Sequence, residues 1–156
     1  MTGFFQGNFV GGVDSKGRMS VPASFRDAVQ TRSGNSRIVL MPHREMLPCL
    51  VGYEPTEIIA LNDAIKLEHA ADDVTAAADQ RRRRAFSLSQ EIGYEETGRI
   101  VMPEDFRDYA EIEKEVLFAG HGDSFQIWNP DLYLEHVDDP LATRMIGRKL
   151  QRMRTK

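Results

Sequence analysis

An α+β fold made of two copies of one strand–turn–strand–helix unit is predicted by three observations. The chain matches itself at an offset of 81 residues, apolar and polar residues alternate after the turn of each copy, and helical spacing takes over between and after the copies.

The match carries the argument. Asp14-Ser-Lys-Gly-Arg-Met-Ser-Val-Pro-Ala-Ser-Phe-Arg-Asp27 lies over Glu95-Glu-Thr-Gly-Arg-Ile-Val-Met-Pro-Glu-Asp-Phe-Arg-Asp108. Six of the fourteen columns are identical, at Gly17/Gly98, Arg18/Arg99, Pro22/Pro103, Phe25/Phe106, Arg26/Arg107 and Asp27/Asp108. Asp14/Glu95 keeps an acid, while Met19/Ile100 and Val21/Met102 keep apolar character, so chemistry is duplicated along with letters.

Each element follows from local pattern. After the turn, Met19 and Val21, or Ile100 and Met102, share one face of a strand, and Arg18 with Ser20, or Arg99 with Val101, take the other, so both arginines point away from the core. Pro22 and Pro103 suit the start of a helix, Glu104 and Asp105 suit its first turn, and Phe25 and Phe106 are core anchors. Arg37-Ile-Val-Leu and Glu115-Val-Leu-Phe read as the next strands. Leu50-Val-Gly-Tyr-Glu-Pro55 and Gln126-Ile-Trp-Asn-Pro130 read as the following ones, each running into a proline that opens a helix.

Residues 56–90 have helical spacing, with Ile58, Leu61 and Ile65 as one stripe and an alanine-rich stretch (Ala70, Ala71, Ala76 to Ala78) leading into Arg81 to Arg84. Two helices or one bent helix fit. The stretch from Leu141 to Lys156 has no acid, and it reads either as a basic helix lined by Leu141, Met145, Met153, Ile146 and Leu150 or as a loose tail. An auxiliary phosphate contact and an oligomer contact are both open to it. The expected organisation is a first unit over 5–57, a helical connector over 58–90, a second unit over 91–137 and a basic C-terminal tail over 138–156.

Composition sets the class. With 156 residues, 41% hydrophobic and 28% charged, the chain can bury a core and excludes a low-complexity protein. The lone Cys49 cannot form an internal disulfide, no apolar run approaches membrane-spanning length, and residues 1–10 lack the pattern of a signal peptide. A cytoplasmic protein that stays off the membrane is the expectation. A net charge of −4 argues against nucleic acid until its distribution is read. Residues 1–44 carry +4, 45–80 carry −7, Arg81 to Arg84 carry +4, 85–140 carry −11 and 141–156 carry +6. A basic working face can therefore coexist with an acidic total.

The chemistry sits in Asp14-x-x-x-Arg18 and Glu95-x-x-x-Arg99, each with glycine before the arginine. An acid opening a turn accepts local backbone N–H bonds, glycine supplies a positive φ, and the arginine emerges at a set strand start. A guanidinium so held can fork onto phosphate or onto guanine O6 and N7. Lys16 adds a flexible point charge. The competing reading is a pair of plain hairpin turns with surface ion pairs worth at most about 1 kcal/mol.

Weaker signals have structural explanations. Arg81 to Arg84 point in different directions on a helix and suit pairing with Asp79, Glu91 or the acidic blocks. His43, His69, His121 and His136 show no metal-ligand spacing, and no metal or other cofactor is expected. Gly120-His-Gly-Asp-Ser124 lies between two strands and reads as a turn, with Phe125 and Trp128 as core or subunit-contact aromatics. Two alternatives stay open, an antitoxin-like protein-interaction module and a small hydrolase using Ser124 with His121.

The Phe5-x-Gly7 opening, Asp14-Ser-Lys-Gly-Arg-Met-Ser-Val-Pro22, the central arginine-bearing helix, Gly98-Arg99 and Phe125-Gln-Ile-Trp128 together resemble the MraZ family over nearly the whole chain. Glu95 stands where the second motif commonly has aspartate. The resemblance implies two tandem AbrB/SpoVT-like swapped-hairpin units forming a pseudo-two-fold β-barrel with peripheral helices. It implies a non-enzymatic, nucleoid-associated protein that binds double-stranded promoter DNA as a ring-like homo-oligomer and represses or tunes the promoter of the division and cell-wall gene cluster. Carried over residue by residue, Lys16 and Arg18 are the main DNA contacts, Ser15 and Gly17 help through the loop, and Thr97 and Arg99 are the second-unit counterparts. Asp14, Glu95 and Gly98 structure the turns.

Overall fold

The computed structural model describes residues 2–45, 47–68 and 76–156. Ala70 and Ala71 of the alanine-rich stretch, and His69, lie outside the described residues. The first repeat supplies β1 (Asn8–Gly12), β2 (Arg18–Ser20), α1 (Ala23–Ser33), β3 (Arg37–Pro42) and β4 (Leu50–Tyr53). After α2 (Glu57–Glu68), α3 (Ala76–Arg82) and a π-helical turn over Arg83–Ser87, the second repeat supplies β5 (Gln90–Gly93), β6 (Arg99–Val101), α4 (Glu104–Ala110), β7 (Glu115–Gly120) and β8 (Ser124–Trp128). Helices α5 (Pro130–His136) and α6 (Pro140–Arg154) follow. Pro22 and Pro103 stand at the N-caps of α1 and α4, where the sequence puts them.

Six strands form an antiparallel sheet in the order β1-β7-β8-β4-β3-β5, and β2 pairs with β6 in a separate ribbon. Exchanging the repeats reads the sheet backwards. Phe9 of β1 lies opposite Phe118 of β7, Ile38 of β3 lies opposite Ile92 of β5, and Met19 of β2 lies opposite Ile100 of β6. The first two strands of each repeat therefore find their ladder partners in the other repeat. Either copy alone would leave those backbone groups unpaired, so the two fold as one. The fold is α+β, as expected. The expected barrel is not found, because β1 and β5 end an open sheet and the ribbon stays apart from it.

Both faces of the sheet are covered, which is why β3 is buried at five successive positions after Arg37. On one face Ile38, Leu40, Leu50, Val116, Phe118, Phe125 and Ile127 join Met19, Val21, Ile100 and Met102 of the ribbon region and Phe25 and Phe106 of α1 and α4. On the other, Val39, Met41 and Val51 meet Leu61 and Ile65 of α2, while Leu117 and Trp128 meet Ile146 of α6. The ribbon thus has one core side and one open side.

The weaker signals resolve locally. Residues 140–154 are helical, capped by the Asp139 carboxylate, which accepts from the Leu141 and Ala142 amides. Ile146 and Leu150 are buried as the stripe requires, whereas Leu141 and Met145 stay exposed. In the arginine run, Arg81 pairs with Glu68 at 2.7 Å and Glu45 at 3.1 Å, and Arg83 with Asp79 at 2.8 Å. Glu91 is taken by Arg37 instead, at 3.0 Å. Burial pushes the Cys49 thiol up to about 12. No described helix is long and apolar enough to cross a membrane, and no metal-holding group of His, Cys, Asp or Glu is found among the described residues.

Candidate nucleic-acid interface

The turn before β2 is built around one carboxylate. Asp14 Oδ1 accepts the backbone amides of Lys16 and Arg18, both at 2.9 Å, and its Oδ2 accepts Arg18 Nε at 2.5 Å. The Gly17 amide donates to the Asp14 carbonyl at 3.0 Å, closing a β-turn with Ser15 and Lys16 at its exposed tip. The Arg18 amide chiefly, with its guanidinium, holds the Asp14 carboxyl down to about 2 from an ordinary value of 3.8. The carboxylate takes Nε, and among the described residues neither terminal nitrogen of Arg18 has a partner, so both are open to another ligand.

The second turn repeats the backbone and omits the clamp. The Gly98 amide donates to the Glu95 carbonyl at 2.7 Å, with Glu96 and Thr97 at the exposed tip. Neither Glu95 nor Arg99 makes a side-chain hydrogen bond or ion pair among the described residues. The extra methylene of glutamate moves the carboxylate out of reach of amides two and four residues on, so the local aspartate geometry is lost.

The two turns brace each other. Gly17 and Gly98 have φ of +79° and +81°, and both are buried. The Met102 amide donates to the Gly17 carbonyl at 2.9 Å, and the Val21 amide donates to the Gly98 carbonyl at 2.8 Å. Arg26 of α1 lies over Gly98 and donates from Nη1 to the Glu96 carbonyl at 2.5 Å, while Arg107 of α4 lies over Gly17. Arg26 and Arg107 were visible as identical columns in the repeat. Their role, each supporting the opposite repeat's tip, could not be read before the crossing of the repeats was known.

Pairing of Arg18 with Val101 and of Ser20 with Arg99 sets both arginines diagonally on the ribbon's exposed face. Arg18 and Arg99 together border a cleft on each side of the ribbon, one including Ser20 and Thr97, the other Arg37 and Glu95. Asp14, Arg18, Thr97 and Arg99 thus share one cleft, whereas Lys16 lines a separate groove with Val101 and Arg107, and Gly17 and Gly98 are buried beneath tips at opposite ends of the ribbon. The remaining candidates join neither. Among the described residues, Ser124 and His121 are hydrogen-bonded through their main chains alone, the His121 amide donating to the Ser124 carbonyl at 2.8 Å in the β7–β8 turn.

The chain is similar to proteins of known name. Residues 85–141 match the family described as "MraZ protein, putative antitoxin-like". A transcriptional regulator MraZ of Rhodospirillum rubrum is 37% identical over 127 residues, covering 81% of this chain and 79% of that protein. Those of Gluconobacter oxydans (32% identical, 84% of this chain and 79% of that protein) and Saccharophagus degradans (29% identical, 86% and 88%) align over similar spans. With identity at this level across most of both chains, the chain belongs to the MraZ family, whose members named here are transcriptional regulators.

Proposed function

We propose that this chain is a sequence-specific, double-stranded DNA-binding transcriptional regulator that reads DNA through the outer face of the β2–β6 ribbon. The observation that carries the reading is Arg18, tied through Nε to Asp14 with its terminal nitrogens free, on an exposed strand start beside Lys16. A guanidinium held in advance loses little freedom on binding, and a bidentate arginine–guanine pair discriminates by about 1–3 kcal/mol. One such tip binds weakly. Self-association into a ring-like homo-oligomer would set several tips on repeated operator elements, and avidity would supply what an acidic chain lacks in basic area.

The same reading makes the protein cytoplasmic and nucleoid-associated, a repressor of the division and cell-wall cluster promoter, and not an enzyme. Lys16 and Arg18 make the main contacts, Ser15 and Gly17 assist through the loop, and Thr97 and Arg99 act from the second turn. The backward-reading strand order supports two tandem AbrB/SpoVT-like swapped-hairpin units, 5–57 and 91–137, joined by 58–90.

Titration of a labelled duplex from the chain's own upstream promoter region, across a salt series, tests this. The native protein should bind it in preference to a scrambled duplex, and Arg18→Ala should lose that preference while keeping the native fold. Unchanged binding in the variant would overturn the assignment. Tight capture of a toxin-like protein with only feeble DNA affinity would favour the antitoxin-like alternative.

A further inference from the structure

The outer face of the β2–β6 ribbon carries Arg18 and Ser20 from β2 and Arg99 and Val101 from β6, while Met19 and Ile100 turn inward. One of the outward residues is apolar. Arg18 is the register partner of Val101, and Ser20 that of Arg99. Val101 is 58% exposed, and neither the turns nor their arginines account for an isopropyl group on this face.

Its neighbours show what it could meet. Val101 borders one cleft with Arg18 and Arg99, and a groove with Lys16. Directly opposed residues of an antiparallel pair have Cβ atoms about 5 Å apart, so Val101 stands beside the clamped arginine. That groove also holds Glu104 and Asp108 of α4, whose charge disfavours a phosphate at this spot. The offset of 81 that aligns the two turns puts Ser20 at the matching place beside Arg99. The two ends of the ribbon therefore present different pairs, arginine with valine and arginine with serine.

We infer that Val101 is a specificity-determining residue that packs on the 5-methyl group of a thymine next to the guanine taken by Arg18. This rests on the DNA-binding reading above. A two-stranded ribbon fits the major groove, where the thymine methyl offers an apolar contact that no other base provides. Successive bases of one strand are about 3.4 Å apart, so side chains about 5 Å apart reach neighbouring base pairs. A phosphate has nothing to offer an isopropyl group. The Ser20 hydroxyl donates and accepts and suits several bases, which leaves the other end less selective.

Uracil supplies the test, because it keeps every hydrogen-bonding group of thymine and lacks the methyl. Native protein, Val101→Ser and Val101→Thr are titrated against the promoter duplex, the same duplex with uracil replacing one thymine position at a time, and a scrambled duplex. Oligomer mass is followed by light scattering. At one position in each repeated element, the native protein should bind thymine about fourfold more tightly than uracil per engaged subunit, the fold-change for burying one methyl group. Val101→Ser should lose that difference while matching the native protein on the uracil duplex. Val101→Thr, a β-branched side chain with one methyl left, should keep part of it. A native protein that binds the thymine and uracil duplexes alike would overturn the inference. So would a Val101→Ser protein that still tells them apart, because the methyl would then act elsewhere or through duplex shape. A loss of affinity on both duplexes with a change in oligomer mass would overturn it too, making Val101 a contact between copies. If the native protein shows no preference for the promoter over the scrambled duplex, the DNA-binding reading itself fails, and the role of Val101 with it.

Discussion

The two turns share a backbone and differ in charge and bracing. Residues 14–18 carry a net +1 and residues 95–99 a net −1, since Lys16 is matched by Thr97 and Ser15 by Glu96. Asp14 orients Arg18 through two hydrogen bonds and holds the Lys16 amide with a third, whereas among the described residues Glu95 leaves Arg99 untethered. The two copies thus share a scaffold, while only the first turn ties its arginine to its own carboxylate. A shared fold and a shared ligand are separate inheritances.

The largest expected contrast is in DNA affinity. Arg18→Ala should weaken promoter binding by at least about a hundredfold, because a loss of about 1–3 kcal/mol per site is multiplied over several subunits. Arg99→Ala should cost less than about tenfold, its guanidinium being less prepared and flanked by two uncompensated acids. Equal losses in a salt-controlled binding assay would break the comparison.

Stability should rank the turns the other way. A Cβ on Gly98 would lie 2.7 Å from the Val21 carbonyl oxygen, a backbone atom, while on Gly17 its nearest contacts are all in the flexible Arg107 side chain, at 2.8 Å and beyond. Both substitutions incur about 1–2 kcal/mol for the left-handed conformation. Gly98→Ala should therefore lower the melting temperature further, by several degrees beyond the roughly 2–4 °C expected per kcal/mol for a domain of this size. Thermal scans showing Gly17→Ala to be the worse of the two would contradict the bracing described here.

A smaller gain should come from making the second turn resemble the first. Glu95→Asp with Thr97→Lys supplies the missing clamp and tip charge, and should raise affinity severalfold and steepen the salt dependence by about 0.9 per engaged subunit. No gain would mean that the second turn does not reach DNA.

The subtlest expectation concerns pH. The Asp14 carboxyl is held below its ordinary value, so the folded state gains from its ionisation fully above pH 3.8 and loses that gain as pH falls toward about 2. Carboxyl-carbon NMR should place its midpoint near 2. In Arg18→Ala the midpoint should rise only part of the way back, because the main-chain amide at position 18 is the largest cause of the shift and survives the substitution. A full return would reassign the shift to the guanidinium.

Much of this was legible beforehand. The offset of 81 aligned Gly17 with Gly98 and Arg18 with Arg99, and period-two alternation put Met19 and Ile100 inward with both arginines outward. The strands beginning at Arg37 and Glu115 were readable from their β-formers. What could not be read was which copy pairs with which, since the pattern of β1 is satisfied equally by either repeat's ladder. That crossing decides what Arg26 and Arg107 do, so their role stayed hidden with it. The closed barrel was expected from resemblance, and the open ends at β1 and β5 replace it. For α6, the stripe left helix and tail equally open; the fold decides it through Asp139, Ile146 and Leu150.

The most direct test is a structure of the protein on a promoter duplex bearing its repeated elements. In that complex the terminal nitrogens of Arg18 should lie on guanine edges or phosphate, its Nε still held by Asp14, with the first turn closer to the DNA than the second. Finding the outer face of the β2–β6 ribbon buried between subunits while the duplex lies against another surface would contradict DNA reading by the ribbon.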